Sequence, residues 1–270
     1  MSLSRLGTYR VSALAFLIVA SAASAQGPIQ VYAAGSLRAV MLELGAAFEA
    51  NRGAKVEFTF GPSGTLRERI ERGEPADVFA SADMGHPRRL ADAGRSYPVV
   101  AFAHNRLCAL ASAKISVSEN TFLDRILDPA VKVGMSTPVA DPSGDYALQL
   151  FDKAEQLRAG ARKTLTQKSR RLVGGPDAPV PPKDRSIYAV LVTSGEADIF
   201  LTYCTNALLA QKDDPGLRVV QIPDALAVSA HYGLTVMRTA RLEAAQFAEF
   251  VLSPQGQQII ARHGFTPVSR

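Results

Sequence analysis

The sequence predicts an α/β protein, and two observations carry that reading. Short runs rich in β-branched residues alternate with amphipathic stretches along the chain, the pattern of stacked sheet and helix layers. At three places an apolar run stops at a turn containing Ser and Gly, and a helical pattern starts immediately. Each such corner gathers unpaired backbone N–H groups and the positive end of a helix dipole, so it can hold an anion without a charged side chain. Three of them suggest several strand C-termini aimed at one crevice, which is where open α/β sheets bind ligands.

In chain order, Arg5 and Arg10 precede an apolar segment from Val11 to Ala20, followed by an A-x-A site at Ala23-Ser24-Ala25. This reads as a secretory signal over 1–25, with an apolar core shorter than the ~20 residues of a membrane-spanning helix. The mature chain is expected to start about Gln26 and, with no Cys at the cleavage site, to diffuse freely in the periplasm. No later segment reads as a membrane span. About 245 residues then remain, enough for a sizeable core in one or two units.

The first corner is Ala33-Ala34-Gly35-Ser36-Leu37. Val40, Leu44, Ala47 and Phe48 follow at the spacing of one helix face, and Ser36 stands where an N-cap belongs. The second corner is Phe60-Gly61-Pro62-Ser63-Gly64-Thr65, with Thr65 and Glu68 spaced as a capping box. The third runs from Thr137 through Asp141-Pro142-Ser143-Gly144 to Asp145. Strands are expected at 29–33, 55–60, 77–81, 99–103, 107–111, 131–135, 197–203, 217–222 and 232–237. Helices are expected at 38–51, 65–72, 86–93, 121–127, 145–159, 186–194 and 242–252. The tract 168–183, with its prolines, glycines and the basic pair Arg170-Arg171, reads as a solvated loop or as a flap beside a site.

Composition narrows the function. The formal charge of +5 falls to +3 once Arg5 and Arg10 leave, with both signs interspersed, so nothing favours nucleic acid. No G-x-S-x-G elbow is present, which argues against a serine hydrolase. His86, His104, His231 and His263 have no zinc-site spacing. Cys108 and Cys204 form no metal motif either, leaving one long-range disulfide or two buried thiols.

Ala33-Ala-Gly-Ser-Leu37, Gly61-Pro-Ser-Gly-Thr65, Pro75-Ala-Asp-Val-Phe-Ala-Ser-Ala-Asp83 and Gly195-Glu-Ala-Asp198, then Thr202-Tyr203 and Asn206-Ala207, make the mature chain similar to the periplasmic molybdate-binding proteins of ABC importers. The ending from Gly256 through Ile259-Ile260 to Gly264-Phe265 is similar too. The resemblance implies a two-lobed class II solute-binding fold, each lobe a mostly parallel sheet flanked by helices, with the ligand cleft between them. It puts one lobe at 26–103 plus 235–270 and the other at 104–234. It also implies a monomer that hands its ligand to a permease in the inner membrane, does no catalysis and carries no cofactor or directly bound cation.

In that family neutral donors hold a tetrahedral oxyanion, here molybdate or tungstate. Carried over, the two serines of the first lobe are Ser36 and Ser63, the second-lobe amides are those of Ser143 and Arg185, and the hydroxyl is that of Tyr203. A desolvated dianion needs many hydrogen bonds, and amides and hydroxyls supply them without a bare charge that would hold any anion. Three departures stand out: Asp184-Arg185-Ser186 where an apolar residue followed by an arginine is usual, the larger proline-rich loop before it, and Cys204 after Tyr203. A guanidinium reaching the cleft would favour a bulkier or carboxylated anion, so sulfate, a phosphonate or an organic acid is the alternative ligand.

Overall fold

The computed structural model describes residues 27–268 apart from 181 and 183. The expected signal segment lies outside the described residues. The chain opens with β1 (Ile29–Ala34), a short 3-10 turn, α1 (Arg38–Arg52), β2 (Val56–Gly61), α2 (Ser63–Glu71), β3 (Val78–Ser81) and α3 (Gly85–Asp92). β1 is wholly apolar on its buried face, and it pairs in parallel with β2 on one side and β3 on the other. Val40, Met41, Leu44 and Phe48 of α1 are buried against this sheet, so the spacing read from the sequence is the face that packs.

Next comes β4 (Val100–Ala111), one continuous twelve-residue strand where the sequence suggested two. Its polar middle, His104-Asn105-Arg106, looks like a break, yet the ladder to its neighbour runs through it and keeps the backbone extended. Then follow α4 (Phe122–Leu127), β5 (Val133–Ser136), α5 (Pro142–Leu157), α6 (Ala161–Lys168) and β6 (Arg170–Val173). The chain continues with α7 (Ile187–Thr193), β7 (Ile199–Tyr203), α8 (Cys204–Asp213), β8 (Arg218–Gln221), β9 (Ser229–Val236), α9 (Leu242–Leu252), α10 (Pro254–Arg262) and the short β10 (Thr266–Pro267).

Strands follow the order β2-β1-β3-β9-β4-β7-β5-β6. Parallel pairs lie toward both ends, and the middle is antiparallel because β4 runs against β7, β8, β9 and β10. The sheet is therefore mixed. The first part of β4, Val100–Arg106, pairs with β9, and its last part, Leu107–Ala111, pairs with β7. The same strand thus closes one group of strands and opens the next.

Five elements escaped the sequence reading, the smallest being the two-residue β10. α6 and α10 were hidden by glycines, Gly160 just before α6 and Gly256 within α10; the latter is capped by Ser253 with Pro254 at its first position. α8 follows β7 with no turn residue between them. β6 lies inside the tract read as irregular, where Arg170 and Arg171 are exposed but Leu172 and Val173 join the core around Phe200. Its edge position lets the arginines face water, and Arg170 pairs with Glu196 at 2.5 Å.

Cys108 and Cys204 form a disulfide with Cα atoms 4.8 Å apart and a sequence separation of 96. Register explains the meeting: Cys108 lies opposite Thr202 and Leu107 opposite Tyr203, which brings β4 beside the start of α8.

Candidate functional site

The three corners converge. At the first, residues Gly35–Leu37 form the 3-10 turn that leads into α1, so Ser36 does not cap the helix. Its hydroxyl is instead 3.1 Å from the phenol of Tyr232 on β9. At the second, α2 begins at Ser63 rather than at Thr65, and the predicted capping box does not form. Ser63 is fully buried, and its hydroxyl accepts from the Ala82 amide at 3.1 Å. At the third, α5 begins at Pro142 and its N-cap is Asp141, which accepts from the Ser143 amide at 3.0 Å.

Tyr203 sits at the C-terminal end of β7, 1 % exposed, with its hydroxyl 3.5 Å from the Ala82 carbonyl. Its ring lies 5.5 Å from that of Tyr232 and 6.2 Å from that of Tyr146. The Ala82 peptide therefore links Ser63 to Tyr203, and Tyr232 links Ser36 to the same aromatic group. The third corner closes on the second, since the Gly64 amide donates to the Ala140 carbonyl at 2.9 Å. A Cβ on Gly64 would lie 2.1 Å from the Val139 carbonyl oxygen, a distance no side chain tolerates. On the facing loop Val139 has φ of 71°, an outlier for a β-branched residue. Ser36, Ser63, Ser143 and Tyr203 thus come together.

Arg185 does not join them. It lies exposed just ahead of α7, whose N-cap is Ser186, and its guanidinium pairs with Asp213 at 3.6 Å. The Ser186 amide also donates to Asp213, at 2.9 Å. Asp213 ends α8 and Tyr203 immediately precedes it, so the two expected site residues stand at opposite ends of a helix about 15 Å long. The guanidinium, whose reach into the cleft the sequence left open, lies exposed against Asp213.

Several residues at the cluster were not singled out from the sequence. Tyr232 reads as an ordinary strand residue, yet its hydroxyl meets both Ser36 and the side-chain amide of Asn105, the latter at 3.5 Å. Asn105 also donates to Thr205 at 2.9 Å, reaching the first turn of α8. Asp141 was visible in the third corner as a turn residue and a helix opener, and its location inside the site was not. The turn after β6 touches the site too: a Cβ on Gly174 would meet that of Asp141 at 2.7 Å, and one on Gly175 would meet the Thr137 hydroxyl at 2.7 Å. Of the two readings of the tract 168–183, the flap fits this part.

The electrostatics are those of neutral donors beside buried acids. Burial pushes the phenols of Tyr188, Tyr203 and Tyr232 well up, and that of Tyr146 to about 12, so all four keep their protons near neutral pH. Burial also raises Asp141 to about 6 and raises Asp145, which accepts from the Val139 amide at 3.1 Å. His86 is pushed down by burial. The hydroxyls of Ser136 and Ser143 and Nδ1 of His86 are buried with no hydrogen-bond partner, so this region holds donor and acceptor capacity in reserve. Among the described residues no three His, Cys, Asp or Glu side chains are grouped to hold a metal ion. A separate groove of about 490 Å³, lined in part by Gln30, Ile70, Glu74, Arg95 and Met237, shares no residue with the cluster.

Residues 29–266 match the family model described as bacterial extracellular solute-binding protein. The chain belongs to this family. An uncharacterized protein of Pasteurella multocida is 36 % identical over 244 residues, covering 89 % of this chain and 99 % of that one. The molybdate-binding protein ModA of Escherichia coli is 27 % identical over 275 residues, covering 97 % of each. The solved sulfate-binding protein SubI of Mycobacterium tuberculosis superposes with a TM-score of 0.76 at 22 % identity, over 90 % of this chain and 88 % of that one, a likeness of fold. The mixed sheet flanked by helices is thus the α/β solute-binding protein fold. Among the described residues no helix is long and apolar enough to cross a membrane.

Proposed function

We propose that this solute-binding protein captures a tetrahedral oxyanion, molybdate or tungstate, between two lobes and delivers it to the permease of an ABC importer. One observation carries the reading: neutral donors from both sheet groups, Ser36 and Ser63 from one and Ser143 and Tyr203 from the other, meet in a single cluster. In this reading the lobes are 26–103 plus 235–270 and 104–234, and the change of partner along β4 between Arg106 and Leu107 supports a crossing near the first of these boundaries. The protein works in the periplasm as a monomer after loss of its signal segment. It turns over no substrate. Its work is closure, in which an anion contacting both lobes stabilises the closed form by its differential affinity.

A thermal panel of molybdate, tungstate, sulfate, phosphate and small carboxylates at equal ionic strength tests this. A ligand at a hundredfold excess over Kd stabilises by about 2.7 kcal/mol, and for a chain of this size that raises the midpoint by roughly 5–11 °C. Molybdate and tungstate should shift it together, with sulfate lagging because its shorter bonds to oxygen reach fewer donors. A shift with a carboxylate alone would overturn the oxyanion reading.

A further inference from the structure

Asp141 is a carboxylate in a place meant for an anion. Its Oδ1 accepts from the Ser143 amide at 3.0 Å, and that amide is the donor the oxyanion reading assigns to the ligand. Asp141 lies deep in the protein while keeping part of its surface accessible, as a group lining a crevice does. No lysine, arginine or histidine among the described residues pairs with it. The titratable groups facing it are Asp145 of α5, Tyr188 of α7, Tyr203 of β7 and Tyr232 of β9, and the last three stay neutral. From β5 the Ser136 hydroxyl lies near it without a hydrogen bond, and from the turn after β6 comes the backbone of Gly174. An oxyanion seated on the Ser143 amide would therefore lie against a carboxylate with no cation between them, and two such charges cannot both stay ionised at close range without a large cost.

We propose, on the oxyanion reading above, that capture of the anion places one proton on Asp141, turning it from an acceptor of the Ser143 amide into a donor to the bound anion. The neutral acid releases that amide and adds an O–H of its own to the donor set. Molybdate, tungstate and sulfate carry no proton near neutral pH, so each draws one from solvent as it binds. Hydrogen phosphate brings its own. Burial already holds this carboxyl high, at about 6, so the proton is available just below the pH of ordinary work.

Calorimetric titration of the mature protein with molybdate, tungstate and sulfate, each in two buffers of different ionisation heat, counts the protons. Well above pH ~6 the wild type should take up about one proton per anion, with Kd rising about tenfold per pH unit. Asp141→Asn keeps a good N-cap and should bind with no uptake and a flat pH profile. Asp141→Ser, also a good cap, serves if the first variant folds poorly. Hydrogen phosphate, if it binds, should show no uptake from the buffer. Binding by the wild type with no uptake, uptake that survives in Asp141→Asn, or uptake abolished by Asp145→Asn instead, would overturn the assignment while leaving the oxyanion reading intact. No binding heat with any of these anions, in a protein folded by circular dichroism, would overturn that reading and the proton linkage with it.

Discussion

The amide of Gly64, at the start of α2, donates to the carbonyl of Ala140, just ahead of α5, across the line where the two strand groups face each other. The contact is backbone against backbone, and only a residue without a Cβ permits it. Gly64→Ala should therefore hold the two groups apart at this point. Anion affinity is expected to fall at least tenfold, about 1.4 kcal/mol, with a loss of fold stability smaller than that of a core truncation. Titration calorimetry together with small-angle scattering in saturating molybdate checks it, and a variant that closes and binds like the wild type would refute the contact.

The two serines should separate into different phenotypes. Ser36 shares its hydroxyl with Tyr232 at the edge of the site, so Ser36→Ala should cost about 1.5–3 kcal/mol of anion affinity and leave the midpoint of unliganded unfolding near wild type. Ser63 is fully buried and holds the Ala82 amide. Ser63→Ala should lose similar affinity and in addition about 1–3 kcal/mol of stability from the orphaned amide. Equal stability losses in the two variants would contradict the different roles.

The disulfide closes a long loop, and in the chain-entropy model a loop of about a hundred residues contributes about 4–5 kcal/mol. Cys108→Ser with Cys204→Ser should lower the melting midpoint by roughly 8–20 °C at 2–4 °C per kcal/mol. Oxidised wild-type protein should show no free thiol on denaturation. Detection of two thiols there would remove the bond.

Asp141 should also shape stability against pH. Its folded pKa of about 6 lies above the ordinary 3.8, so the folded state holds the proton more tightly than the unfolded one. Its contribution is fully present below pH ~4 and is lost as pH rises through about 6, at most about 3 kcal/mol. Asp141→Asn should raise the midpoint at pH ~8 and change it little at pH ~4. The opposite order in differential scanning calorimetry would mean that the ionised carboxylate stabilises the fold.

His86 should act in the opposite direction. Burial depresses its pKa, so the unfolded chain takes up a proton that the folded one refuses as pH falls below about 6.5. Its neutral form should be required for full stability. His86→Gln should flatten the loss of midpoint between about pH 6.5 and 5, and an unchanged slope would assign that loss to other groups.

The β1, α1 and β3 regions were legible because apolar spacing and small turn residues agree there with the packing that forms. Ser36, Ser63, Ser143 and Tyr203 were gathered by the resemblance alone, and the structure brings them near one another. That Ser36 does not cap was not legible, because a 3-10 turn and a capping turn share the same residues and only the position of Tyr232, 196 residues away, decides where the hydroxyl goes. Arg185 stands apart from them: the resemblance alone placed its amide at the site, and the fold sets it just ahead of α7 with its side chain on Asp213, at the far end of α8 from Tyr203. Asp141 looked like punctuation because an N-cap Asp and a carboxylate in a binding crevice are the same residue in the same place.

His104 of β4 stands opposite His231 of β9, Asn105 opposite Ala230 and Arg106 opposite Ser229, and the ladder carries on as the Leu107 amide meets the Val228 carbonyl at 3.2 Å. Both passages between the strand groups are therefore bound side by side. In the closure proposed above, rocking of one group against the other would flex this pair as a single leaf spring, spreading the rotation over a few residues of each strand rather than at one bond. Opening as proposed would then be a nod of the two strands together, which parts the Gly64–Ala140 contact between the helix starts and remakes it on closure.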